Sequence, residues 1–81
     1  MNRYTTIFFS KCPANNVRIK YELVIEAHNT IFVEELLSFL SSFVVAYHEN
    51  IADKLVEQFG GKQTLKAWHH GVLIETQRGM K

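Results

Sequence analysis

Three short groups of residues carry side chains able to do chemistry: Cys12-Pro13, Tyr47-His48-Glu49 and Trp68-His69-His70. Cys12 is the single cysteine. A lone cysteine either packs as a small hydrophobe or, at an accessible strand end with a stabilised thiolate, attacks an electrophilic carbon. Both readings stay open from the residues alone. The same holds for His48-Glu49, which stands at the head of the amphipathic stretch AYHENIADKLVEQFGG. A carboxylate in the first turn of a helix is favoured by the helix dipole. It can equally anchor a guanidine-like edge of two adjacent N–H donors, while the histidine beside it moves a proton. HENIA lacks a second histidine four residues on, so the pair is not a zinc-protease motif. Neighbouring side chains on a strand point to opposite faces, so His69 and His70 are not expected to share an ion. With one cysteine and no clustered carboxylates, no bound metal is expected. Gly60-Gly61 has no GxxxxGK[ST] around it and reads as a helix stop.

The elements that must position these groups follow from periodicity. RYTTIFFS, rich in β-branched and aromatic residues, predicts a strand over residues 3–10. KCPANN supplies turn chemistry. In VRIKYELVIEA the residues Val17, Ile19, Tyr21, Leu23 and Ile25 alternate with a mostly charged set, the pattern of a half-buried antiparallel strand. After HNT the period becomes helical: Val33, Leu36, Leu37, Leu40, Phe43, Val44 and Tyr47, then Ile51, Leu55, Val56 and Phe59. Ser41-Ser42 and Val44-Val45 weaken the middle, so two helices meeting near Ala46–His48 are expected. KQTLKAWHHGVLIETQR predicts two strands about a turn at His70-Gly71. The order is strand, strand, helix, helix, strand, strand: an α+β domain with a four-stranded antiparallel sheet and both helices on one face.

Eighty-one residues make room for one small domain, here the whole of 1–81. Such a domain buries only about 60–65% of the surface its unfolded chain exposes, and one cysteine allows no internal disulfide. Pairing sheet edges between copies would protect open edge strands and enlarge the core, so a homo-oligomeric barrel is expected. Nine Lys and Arg against eight Asp and Glu give a net charge of +1, which speaks against a dedicated nucleic-acid or membrane-surface binder. The apolar run from Leu36 to Tyr47 is too short to span a bilayer, and MNRYTTIFFSKC makes a poor signal peptide. With the free thiol, these features predict a cytoplasmic, globular protein.

SKCP, a strand containing YELVIE, the stretch VEELLSFLSSFVVAYHENIADKLVEQF and the closing HGVLIET together resemble the tunnelling fold. This superfamily includes GTP cyclohydrolase I and the QueF-type nitrile reductases, and its subunits assemble through their sheets into barrels. ENIADKLVEQFG is similar to the cyclohydrolase helix, but the residues that hold zinc in those enzymes are absent: Ala14, Asn15 and Asn16 follow Pro13, and the chain closes on ETQRGMK. Cys12-Pro13 and Tyr47-His48-Glu49 resemble the QueF-type motifs more closely. In that family a cysteine attacks the nitrile of 7-cyano-7-deazaguanine to give a thioimide. The resemblance implies that Cys12 is the nucleophile, His48 the proton donor and Glu49 the anchor for the base.

The reductases carry a Glu-Ser-Lys type motif for NADPH where this chain has FVEELLSF, and an Asp where it has Ile19. The first difference argues against NADPH. The second leaves the thiol proton without an obvious acceptor. The glutamate pair and HGVLIET look more like the QueF-like amidinotransferases, which trap the thioimide with ammonia and need no cofactor. The resemblance therefore implies a cofactor-free enzyme of 7-deazaguanine metabolism, in the chemistry of queuosine and archaeosine, acting on a base that is free or in nucleic acid. Two alternatives remain at this level: a pterin- or GTP-processing relative, and a non-catalytic oligomeric purine-binding protein.

Overall fold

The computed structural model describes residues 1–79. Six elements follow in chain order: β1 (Asn2–Lys11), β2 (Arg18–Ala27), α1 (Val33–Ser41), α2 (His48–Phe59), β3 (Lys62–His69) and β4 (Val72–Arg78). The strands form one antiparallel sheet in the order β1-β2-β3-β4, and the chain visits both helices between the two central strands. This is the expected ββααββ arrangement.

Period-two patterning decides which sheet face is covered. On β2, Ile19, Tyr21, Leu23, Ile25 and Ala27 are buried, whereas Arg18 and Lys20 face solvent. Val17 falls just outside the strand and stays exposed. The inward face of β2 continues across the ladder, where Leu23 pairs with Leu65 and Tyr21 with Ala67. Leu36 and Leu40 of α1 and Ile51, Ala52 and Leu55 of α2 close over it in one apolar cluster. Burial of this kind is worth roughly 1.5–3 kcal/mol for each large side chain. Among the described residues, no helix is long and apolar enough to cross a membrane.

The first helix ends sooner than its apolar spacing suggests. Ser41 and Ser42 turn their hydroxyls back onto the carbonyls of Ser38 and Phe39, at 2.7 and 2.6 Å, a local bond that competes with helix propagation. The β-branched Val44-Val45 then prefer extended backbone. They find a partner at the far end of β1: the Lys11 amide donates to the Val44 carbonyl at 3.0 Å, and the Ala46 amide to the Lys11 carbonyl at 3.1 Å. Lys11 and Val45 thus form an isolated parallel bridge. The helices are joined by an extended strap, and that strap brings Tyr47 and His48 beside Cys12.

At the opposite end, α2 stops at Gly60 (φ 66°). The buried Gln63 side chain donates to the carbonyls of Leu55 and Gly60 at 3.1 and 2.7 Å. It satisfies helix-end acceptors that would otherwise lack donors and ties α2 to β3.

Candidate active site

Cys12 lies one residue beyond β1, in a tight turn. Its amide donates to the Val17 carbonyl at 2.9 Å, and its carbonyl accepts from the Asn16 amide at 2.7 Å. Asn16 adopts φ 60°, a conformation asparagine tolerates better than most residues. Cys12 is 6% exposed, so it is no open surface residue. It forms part of the wall of a cavity of about 200 Å3 that also takes in Ile19, Tyr21, His48, Glu49 and His69. The turn after β1, the strands β2, β3 and β4, and the head of α2 all contribute to that wall. The three sequence-predicted residues, Cys12, His48 and Glu49, therefore converge on one hollow.

His48 is the first residue of α2 and lies against the Tyr21 ring, with centroids 5.5 Å apart. Both of its ring nitrogens are out of water and without a hydrogen-bond partner. A buried polar atom left without a partner costs about 1–3 kcal/mol. Burial pushes the ring's proton affinity below the ordinary 6.5. Glu49 partly opposes this, Arg78 adds to it, the Leu65 carbonyl supports the charged form weakly, and His69 disfavours it. His48 is held as a neutral imidazole with one N–H to offer.

Tyr21 is 1% exposed and stacks on Phe8 at 5.0 Å. Burial, reinforced by Cys12, raises its phenol above the ordinary value, so its hydroxyl stays protonated. Glu49 sits at the rim, where one carboxylate oxygen accepts from the Arg78 guanidinium at 2.7 Å. Arg78 also donates to Asp53 at 2.8 Å, and the two acids hold the guanidinium's proton more firmly than usual. Glu49 thus accepts one N–H of a planar guanidinium whose Nε is turned to Asp53.

Sequence reasoning missed His69. On β3, Leu65, Ala67 and His69 fall on the same side of the pleat, and Leu65 and Ala67 are buried. His69 therefore points at the core side, where its Nε2 comes to 3.5 Å from the Cys12 Sγ. The apolar residues two and four positions earlier were the available signal. His70 departs from the alternation because it belongs to the turn: with φ 52° at His70 and 82° at Gly71, the hairpin has the two positive φ angles of a type I′ connection. The rings of His69 and His70 consequently lie 4.6 Å apart, edge to face, which corrects the expectation of opposite faces. His70 is tethered in turn to Asn15 at 2.8 Å. Among the described residues, no three His, Cys, Asp or Glu side chains group so as to hold a metal ion.

No model of a protein family matches the chain, and no curated protein matches it. A solved structure does: the crystal structure of the archaeosine synthase QueF-Like in the apo form. The TM-score is 0.81 at 22% sequence identity, covering 99% of this chain and 94% of that one. This chain has the fold of that synthase, the tunnelling-fold arrangement that its motifs resemble.

Proposed function

We propose that this protein modifies the nitrile of a 7-cyano-7-deazaguanine base, free or in nucleic acid, through a thioimide on Cys12 that ammonia then resolves to an amidine. The observation that carries this reading is the convergence of Cys12, His48 and Glu49, from elements far apart in sequence, on one cavity. They do so in a fold shared with an archaeosine synthase. The cavity is smaller than the roughly 300–1,000 Å3 of drug-sized sites, a scale suited to one flat heterocycle. In this scheme Glu49 receives the base's paired N–H edge in place of, or beside, Arg78. His48 offers its N–H to the nitrile nitrogen as charge develops there. Ammonia is a single small nucleophile and requires no cofactor pocket. Covalent capture replaces one difficult addition by two easier ones.

Intact-protein mass spectrometry after incubation with 7-cyano-7-deazaguanine tests the proposal. Wild type should gain the mass of the whole ligand, and Cys12→Ala should gain nothing. An adduct that survives in Cys12→Ala would defeat the assignment of the nucleophile. Binding without an adduct in wild type would favour a purine-binding or pterin-type protein.

A further inference from the structure

A thiol attacks a nitrile only after losing its proton, and Ile19, a cavity-wall residue, supplies no acid or base for that task. The titratable groups facing the thiol's surroundings are few: Tyr21 from β2, Tyr47 from the strap, His48 and Glu49 from α2, and His69 from β3, with His70 behind His69 in the turn. β4 contributes the apolar Ile74. Tyr21 keeps its proton, and Glu49 is engaged by Arg78. His48 makes no bond to sulfur. Among the described residues, the Nε2 of His69 is the ring nitrogen in hydrogen-bond reach of Sγ. We propose that His69 is the catalytic base that takes the Cys12 proton, and that the imidazolium so formed delivers this proton to the nitrile nitrogen as the C–S bond forms.

Two features of the fold support the pair. The pleat of β3 aims His69 inward, and the small Ala67 on the same face leaves the ring room beside the sulfur. The Asn15–His70 contact then holds the hairpin tip over the turn that carries Cys12. His69 is thereby set against the thiol from both sides.

The step balances. His69 accepts the thiol proton at Nε2, which requires its other nitrogen to carry the hydrogen. Sulfur bonds to the nitrile carbon, one π bond of the C≡N opens, and the nitrogen receives the proton to give C=NH. When ammonia adds, the C–S bond breaks and the thiol is restored, with one proton of the ammonia returning to sulfur by way of His69. No oxidant or reductant enters.

The second half of this inference rests on the nitrile reading; the deprotonation of Cys12 does not, so the two can fail separately. Because Cys12 is the single cysteine, alkylation by iodoacetamide reports on it alone. His69→Gln should alkylate about tenfold or more slowly than wild type near pH 7, and the gap should close near pH 9.5, where hydroxide can remove the proton. Lys66→Gln, on the same strand but paired with Glu75 away from the cavity, should stay within about twofold of wild type. Equal rates for wild type and His69→Gln near neutrality would overturn the proposal. So would a slowing in Lys66→Gln as large as that in His69→Gln. Normal alkylation behaviour with no nitrile adduct in wild type would remove the nitrile chemistry and leave the pair standing. An adduct formed by His69→Gln at the wild-type rate would do the reverse.

Discussion

The ring of His48 lies with both nitrogens out of water, and burial is the main reason it resists a proton. In the unfolded chain the same ring titrates near the ordinary value of about 6.5. Between that value and the lower folded one, the unfolded state binds more protons, so stability rises with pH across this window and is lost as pH falls through it. Urea titrations from about pH 7 downward should show the midpoint falling below about pH 6.5 in wild type, with a flatter dependence in His48→Gln. Parallel curves would assign the acid sensitivity to other groups. At this scale the sequence was legible where a motif carried the information: Cys12, His48 and Glu49 stand in recognisable neighbours. His69 was not, because its meaning depends on strand phase and on a hairpin register that brings residue 69 to residue 12. No short motif encodes a contact 57 positions apart.

Strand and helix types were readable from period alone, and the limits of that reading show at α1. Phe43, Val44 and Tyr47 keep helical spacing but lie beyond the helix, because backbone bonds to Lys11 outcompete another turn. Such a partner is invisible to a local pattern. The Gly60-Gly61 stop was legible in type, but its two members do different things. Gly60 turns the chain in open space, whereas a Cβ on Gly61 would lie 2.6 Å from the Glu26 carbonyl oxygen, with φ at 73°. Gly61→Ala should therefore cost more than about 1 kcal/mol, and Gly60→Ala less, since only its positive φ is penalised. Urea unfolding of the two variants would check the ordering; equal losses would show that the β2–Gly61 approach relaxes without cost.

For the molecule as a whole, the four-stranded sheet leaves β1 and β4 as edges and one face uncovered. Ile7, Phe9, Trp68 and Leu73 are exposed on that sheet, and Arg18, lying 4.0 Å from the Phe9 ring centre, partly shields Phe9. Long unprotected edges invite pairing, and we expect the edges to meet between copies. Sedimentation equilibrium should return a multiple of the subunit mass, and a clean monomer at micromolar concentration would contradict the barrel. Composition could suggest this association through the small core it implies, but not the number of subunits, which depends on how far each edge is rotated from the other. The strap across the end of β1 has its own consequence. The bonds that fix Lys11 also fix the segment leading to His48, so the thiol-bearing turn and the head of α2 are held by the same stretch of backbone. Fraying there would loosen the turn that carries the buried thiol and the first turn of α2 in one event, so hydrogen exchange at Lys11 and Ala46 should rise and fall together.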